Sequence, residues 1–257
     1  MATAVAVRPD GSRRPLARDW VPEAPVALEY NGVSYAVMMA TPADLDDFVA
    51  GFALTEGLAA GLDEIAGLSA SETPLGWIAR ASLSGEGAGR IAERARARVA
   101  ESSCGLCGIE NLEALARPLP PVAPHAPLAE AALFRALADL PARQALNRRT
   151  GAAHAAAFCA PDGAIVLLRE DVGRHNALDK LVGALARAGR VAAPGFILST
   201  ARCSYEIVEK AVRAGATTLV TVSLPTSLAV DRARAAGLSL WALARADSAL
   251  LVSDPQG

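Results

Sequence analysis

The chain has 257 residues, of which 52% are hydrophobic, 20% are charged and 4% are aromatic, and its formal net charge is -2 at pH 7. A half-apolar composition excludes a disordered chain, and the lack of a basic, aromatic-rich patch excludes a general nucleic-acid-binding protein. No apolar run reaches the roughly 18 residues that a membrane span needs, so we predict neither a transmembrane segment nor a membrane partner.

The beginning of the chain predicts a flexible tail followed by a hairpin. Residues 1–23 are rich in proline, arginine and glycine, which is typical of a loose segment. Two alternating runs, at residues 24–30 and 33–39, flank Asn31-Gly32. Asn-Gly between two alternating runs is a strong hairpin signal, so ordered structure is predicted to begin near residue 24.

A capping sequence follows the hairpin. Thr41-Pro42-Ala43-Asp44 predicts a helix through about Glu56, with Thr41 as its cap and Gly57 at its end. These elements form an N-terminal α+β domain over residues 24–116. Its further predicted elements are an acidic turn at 63–64, a strand at 77–83 and a helix at 87–99.

The second half begins after a proline-rich linker at residues 117–127, which holds five prolines. Beyond it, over residues 128–257, short β-rich runs alternate with helical segments, which predicts an α/β domain with a mainly parallel sheet covered by helices. The predicted helices lie at 128–140, 143–147, 175–187, 204–214 and 226–236. The predicted strands lie at 154–159, 164–169, 195–199, 217–223, 238–244 and 249–252.

Cys104 and Cys107 stand in the run Cys-Gly-Leu-Cys-Gly, two of only four cysteines in the chain. The glycines permit a sharp turn and leave the sulfurs uncovered, so we predict an exposed loop that favours reactive thiolates. Four cysteines at irregular spacing do not make a disulfide framework. We therefore expect a reducing cytoplasmic location, where a close cysteine pair is more often catalytic than structural.

Four interpretations of this pair compete. Structural zinc is disfavoured because the chain lacks a second pair or histidines at ligand spacing, and no metal site is predicted. Two unreactive thiols in a turn would not explain glycine-flanked cysteines in a polar loop. A dithiol redox pair and a persulfide-forming sulfur carrier both remain open, because chemistry at a single pair cannot separate them.

Polar and charged residues of the second half gather where predicted strands end and helices begin. The densest junction, at residues 170–176, holds Arg174 and His175, and the junction at 199–204 adds Arg202. A third junction, at 223–227, adds hydroxyls. Helix N-termini at the C-terminal ends of parallel strands bind anions, so these side chains predict a phosphate-binding site.

Several long runs also carry motifs in a fixed order. They are EDVGRHNALDKLVG at 170–183, CGLCG at 104–108, TGAAH at 150–154, CSYEIVEKA at 203–211 and SLPTSLAV at 223–230. Together they resemble the FdhD family of formate dehydrogenase accessory sulfurtransferases. EYNGVSYAVMMATPADLDDFVAGFALTEG at 29–57 is similar to the N-terminal part of that family, so the resemblance covers nearly everything except the tail.

The resemblance implies a cytoplasmic sulfur carrier, and it implies roles for individual residues. Cys104 would carry a persulfide taken from a cysteine desulfurase, with Cys107 as the assisting thiol. The sulfur would go to a molybdenum or tungsten bis(guanine dinucleotide) cofactor, a bound cargo, before its insertion into formate dehydrogenase. The family also implies a homodimer. Its cofactor-contact segment falls on Leu243, Ala244, Arg245, Ala246, Asp247 and Ser248, of which only Arg245 matches the family pattern cleanly.

The family's second domain is similar to the three-layer fold of cytidine deaminases. Zinc deaminases need His-x-Glu and Pro-Cys-x-x-Cys, whereas this chain has His154-Ala155-Ala156 and a single Cys203. Deamination is therefore excluded even if the scaffold is shared. The alternatives to a sulfur carrier are a non-catalytic chaperone of the cofactor and a dithiol redox protein.

Overall fold

The structure, a computed structural model, describes residues 2–89, 91 and 118–255. Cys104, Cys107 and most of the helix predicted at 87–99 lie outside these residues. The described residues form sheets of two, four and six strands. No helix among them is long and apolar enough to cross a membrane.

The first sheet is a hairpin where the sequence predicted a loose tail. Strands β1 (Ala2–Val7) and β2 (Arg13–Arg18) pair antiparallel. The turn between them is built by Asp10, whose carboxylate accepts the Ser12 N–H at 2.9 Å, and by Gly11 at φ 80°. The prediction of an irregular tail is wrong because this local turn chemistry outweighs the composition of the segment.

The four-stranded sheet forms the N-terminal half, in the order β4-β3-β6-β5. Its strands are β3 (Ala24–Tyr30), β4 (Val33–Ala40), β5 (Ile65–Thr73) and β6 (Gly76–Leu83). The predicted β3–β4 hairpin is confirmed, and Asn31 (φ 53°) and Gly32 (φ 76°) form its turn. Strand β5 was not predicted, because most of its side chains are exposed.

Helix α1 (Leu45–Thr55) covers one face of this sheet. Its predicted cap is wrong: the helix begins after Asp44, which adopts a left-handed conformation at φ 53° and makes no side-chain cap. Thr41 does not cap the helix, because its hydroxyl accepts the N–H of Val172 at 3.1 Å. The residue that the local sequence predicted as the helix cap thus makes a tertiary hydrogen bond instead.

The six-stranded sheet forms the C-terminal half, in the order β12-β11-β10-β9-β7-β8. Strands β8 to β11 all run in one direction, while β7 and β12 run antiparallel to them. The strands are β7 (His154–Cys159), β8 (Ile165–Asp171), β9 (Phe196–Ser199), β10 (Thr218–Thr221), β11 (Ser239–Ala242) and β12 (Leu250–Ser253). The predicted α/β class is confirmed.

Helices cover both faces of this sheet. They are α2 (Glu130–Arg143), α3 (Ala145–Thr150), α4 (Arg174–Arg187), α5 (Tyr205–Arg213) and α6 (Ser227–Ala236). Successive residues of the buried strands point to opposite faces. Ile197 accordingly packs with α4, α5 and α6, whereas Leu198 packs with α2. The result is the three-layer arrangement that the resemblance implied.

The predicted linker is docked against the C-terminal half over the part that is described. Residues 118–129 contain no helix or strand. Within them, Val122 donates its N–H to the Ala236 carbonyl at 2.8 Å. A ring nitrogen of His125 lies 2.8 Å from the Ser239 hydroxyl. The segment therefore has fixed contacts with α6 and β11.

Helices α1 and α4 join the two halves by a close crossing. A Cβ added at Gly51 would lie 1.7 Å from the Asp179 carbonyl oxygen, and one at Gly183 would lie 1.9 Å from the Asp47 carbonyl oxygen. Only residues without a side chain permit such an approach. The two halves consequently share a tight helix interface.

Candidate functional site

The candidate site lies at one edge of the six-stranded sheet. Because β8, β9, β10 and β11 are parallel, their C-terminal ends meet there, and the antiparallel β7 brings its N-terminus to the same edge. In parallel sheets, ligands bind beyond this edge. Four side chains at this edge form the edge cluster: His154, Arg174, His175 and Arg202.

Arg174 is the first residue of α4 and follows β8 after a two-residue turn. The first backbone hydrogen bond that closes α4 is donated by Ala177 to the Gly173 carbonyl, at 3.0 Å. Residues 174–176 thus supply the N–H groups that any helix leaves free for an anion at its start. The Nε atom of Arg174 is buried and has no hydrogen-bond partner within the described structure. A buried guanidinium N–H without an acceptor is suited to a bound oxyanion.

His175 stands beside Arg174 and contacts α5. Its Nε2 lies 3.1 Å from Oε2 of Glu206 and 3.5 Å from the Ser204 hydroxyl. The hydrogen bond from His175 lowers the pKa of Glu206. Since serine and carboxylate approach the same ring nitrogen, they cannot act as nucleophile and orienting acid on opposite sides of the imidazole. The arrangement therefore does not support a serine hydrolase.

His154 is affected by the charges of the other members of the edge cluster. Burial, followed by the charges of Arg174, His175 and Arg202, lowers the pKa of His154. Its Nδ1 lies 3.4 Å from the Thr200 hydroxyl, at the end of β9. Arg174, His175 and Arg202 thus lie at the same edge of the sheet as His154, which the sequence analysis named in the TGAAH run and in the deaminase comparison.

The predicted cofactor-contact segment follows β11 and reaches the same edge. Leu243, at φ 47°, donates its N–H to the Ser223 carbonyl at 3.2 Å, which ties the segment to the loop after β10. The side chain of Ala244 is buried at 1% exposure and packs in the core. Four following residues are exposed: Arg245, Ala246, Asp247 and Ser248. The Arg245 N–H donates to the Ser248 carbonyl at 2.7 Å, which closes a tight turn.

The remaining cysteines of the described chain are unsuited to chemistry. Cys159 and Cys203 are both buried, and burial raises the pKa of each thiol to about 12. Within residues 2–89, 91 and 118–255, no three His, Cys, Asp or Glu side chains are grouped so as to hold a metal ion. Cys203 and His154 therefore form no zinc centre of the deaminase type in the part of the chain described.

A buried network behind the edge cluster was missed by the sequence analysis. Asp171 is fully buried, and its two carboxylate oxygens accept hydrogen bonds from Gly173, Asn176, Thr41 and Lys180. The signal that could have indicated it is the pair Asn176 and Lys180, which stand four residues apart and so share one face of the predicted helix. Their partners could not be found by spacing, because Thr41 lies far away in the chain.

The fold and this edge define a two-part α/β protein that gathers cationic side chains at the C-terminal ends of parallel strands. The sequence model of the FdhD/NarQ family matches residues 21–257, and the chain belongs to this family. Its relatives include the sulfur carrier protein FdhD of Variovorax paradoxus, which is 46% identical over 93% of this chain and 86% of the relative. The protein of the same name from Chromobacterium violaceum is 46% identical over 92% of this chain and 88% of the relative.

A solved structure shares the fold. A protein from Desulfotalea psychrophila, described as a formate dehydrogenase accessory protein, superposes with a TM-score of 0.76. The two chains are 24% identical, and the match covers 100% of this chain and 97% of the other. The fold of this chain is thus shared with a protein of distant sequence.

Proposed function

We propose that this protein is a sulfur carrier that serves the maturation of a formate dehydrogenase. The observation that carries the proposal is the combination of family membership, with relatives named as sulfur carriers, and the cysteine pair Cys104 and Cys107. The edge cluster supports it, because a cargo cofactor with two guanine nucleotides presents diphosphates that need cationic partners.

The first step is thiol exchange at Cys104. Its thiolate attacks the terminal sulfur of a persulfide on a cysteine desulfurase, so that a new S–S bond forms and the donor leaves as a thiolate. The product is a Cys104 persulfide. Atoms and electrons balance without a further reagent, because one S–S bond replaces another.

The second step is delivery of that sulfur to the cargo. When Cys107 attacks the inner sulfur of the Cys104 persulfide, the outer sulfur leaves as hydrosulfide and a Cys104–Cys107 disulfide forms. Cys107 thereby supplies the two electrons that convert sulfane sulfur into a metal ligand. A cellular dithiol reductant would restore both thiols.

The edge cluster would hold the phosphates of the cargo during this transfer. Arg174 is the best placed of its members, because its Nε is buried without an acceptor at the start of α4. Arg202 is exposed and would bind a phosphate oxygen from the loop after β9. His175, whose Nε2 contacts Glu206, would stand beside the bound phosphate.

Intact-mass measurement tests the carrier function. The wild type incubated with a cysteine desulfurase and cysteine should gain the mass of one sulfur atom on the peptide that contains Cys104. Cys104→Ala should gain none, whereas Cys107→Ala, the matched control, should keep the adduct and accumulate it. A loss of two hydrogens without sulfur gain would instead identify a dithiol redox protein.

Maturation of the dehydrogenase separates the carrier from a chaperone. Cys104→Ala should abolish the production of active formate dehydrogenase while leaving the binding of guanosine diphosphate (GDP) intact. If cells that carry only Cys104→Ala still produce the active enzyme, the non-catalytic chaperone is the correct function.

A further inference from the structure

Asp171 joins the edge cluster to the N-terminal half of the molecule. Its Oδ1 accepts the N–H of Gly173 at 2.7 Å and the Nδ2 of Asn176 at 3.0 Å, which fixes the turn that precedes α4. Its Oδ2 accepts the N–H of Thr41 at 3.0 Å and a hydrogen bond from Lys180. One buried carboxylate therefore connects the start of α4 to the residue that follows β4.

Thr41 makes the reciprocal contacts. Its hydroxyl accepts the N–H of Val172 at 3.1 Å, and its carbonyl accepts a hydrogen bond from Lys180 at 2.8 Å. The neighbouring Met39 carbonyl accepts the Nδ2 of Asn176 at 2.9 Å. Thr41 is 4% exposed and Lys180 is 0% exposed, so water does not compete for these bonds. The Asp171 carboxylate and the Val172 N–H of this turn thus receive part of their hydrogen bonds from the other half.

We propose that Thr41 is a positioning residue for the edge cluster, acting through Asp171 and Val172 to hold the turn that presents Arg174 and His175. The inference rests on the proposed function in one respect, namely that the edge cluster binds phosphate. Its physical basis is that a preorganised anion site needs its donors fixed before the ligand arrives. Thr41 lies in the half that carries the cysteine pair in sequence, so the sulfur-carrying half shapes the site for the cargo.

The chain offers a matched control in Thr55. It is also buried on the N-terminal half, and its hydroxyl donates to Oδ1 of Asp179 at 2.6 Å and accepts from Lys210 at 3.0 Å. Asp179 lies more than one helical turn beyond Arg174, away from the start of α4. Thr41→Val and Thr55→Val each delete one buried hydroxyl at nearly constant volume, but only the Thr41 hydroxyl contacts the turn at 171–173.

Binding of GDP, measured by calorimetry at fixed pH and salt, provides the first readout. Thr41→Val should raise the Kd of GDP about five-fold, as expected when one hydrogen bond of the site is lost. Thr41→Ser, which keeps the acceptor oxygen, should bind like the wild type. Thr55→Val should bind like the wild type although it lowers the free energy of unfolding. An unchanged Kd in Thr41→Val, or an equal rise in Thr55→Val, would overturn the inference.

Amide exchange by NMR provides a readout without ligand. The Gly173 N–H keeps its Asp171 acceptor in Thr41→Val, so faster exchange at Gly173 reports loosening of the whole turn rather than the deleted bond. We expect this in Thr41→Val and not in Thr55→Val. Should the wild type fail to bind GDP, the cargo part of the proposed function fails. Unchanged Gly173 exchange would then still refute the positioning role.

Discussion

Replacement of Gly51 by alanine at the crossing of α1 and α4 should destabilise the protein. The new Cβ would lie 1.7 Å from the Asp179 carbonyl oxygen, whereas carbon and oxygen atoms in close contact are about 3.3 Å apart. The helices must therefore separate by about 1.6 Å, the difference between these distances. Such a shift also moves Asp179 relative to Lys210, whose Nζ lies 2.9 Å from Oδ1 of Asp179.

Two effects of opposite sign determine how much Gly51→Ala changes the free energy of unfolding. Alanine in a helix interior is favoured over glycine by about 1 kcal/mol. Overpacking of a close interface costs about 1–3 kcal/mol, and a backbone oxygen cannot rotate away as a side chain can. With the disturbed ion pair placing the cost at the upper end, we expect Gly51→Ala to lower the free energy of unfolding by about 2 kcal/mol.

Urea denaturation followed by circular dichroism measures this change, with Gly89→Ala as control. Gly89 is exposed and has no atom within 4 Å of an added Cβ, so its replacement should be neutral or slightly stabilising. Gly183→Ala should behave like Gly51→Ala, and the double variant should lose less than the sum, because the helices separate only once. A Gly51→Ala protein as stable as the wild type would refute the close crossing.

The remaining predictions concern single buried groups. Bound GDP should raise the pKa of His154, because the anion offsets the cations that lower it. NMR titration of the ring protons with and without GDP measures this change. An unchanged pKa would mean that GDP binds elsewhere. Without ligand, the lowered pKa means that His154 binds protons more readily in the unfolded state than in the folded state. The free energy of unfolding should therefore fall as the pH drops from 6.5 through the lowered pKa. Denaturation at several pH values should show a smaller fall in His154→Gln. Lys210→Met should lower the free energy of unfolding by about 3–5 kcal/mol in urea denaturation, because it leaves Asp179 buried without its cation. Adding Asp179→Leu should recover most of this loss. If the double variant recovers nothing, the loss is not an effect of the unpaired charge. Cys159 and Cys203 should resist iodoacetamide in the native protein because both thiols are buried, and peptide mapping that finds either one labelled would speak against that burial.

The sequence predicted those features that depend on local pattern. The alternation of strands and helices in the second half follows from apolar periodicity, and the Thr226 cap of α6, which accepts the Ala229 N–H at 3.2 Å, follows from capping chemistry. Arg174 and Arg202 were predicted to converge because the C-terminal ends of parallel strands meet at one edge. The pKa effect on His154 supports that convergence.

Features that depend on distant partners were not predictable in this way. Thr41 has a good local capping pattern, but its hydroxyl instead satisfies Val172, which lies 131 residues further along the chain. Strand β5 is an edge strand with few buried side chains, so its periodicity is weak. Lys180 is charged and would be assigned to a solvated helix face, yet Asp171 and Thr41 together compensate its burial.

The junction between the halves limits how sulfur delivery can work. Opening the junction between the two halves would separate Thr41 from Lys180 and Thr55 from Lys210, leaving two buried cations without part of their partners. Each of these is a hydrogen bond to a buried charged group and contributes about 1.5–3 kcal/mol, so losing both would consume much of the stability of an ordinary domain. A hinge at this interface is therefore too costly to serve each delivery. Under the proposed function, any movement that brings Cys104 from the sulfur donor to the cargo must then arise in residues other than α1 and α4, while these helices keep the edge cluster in place.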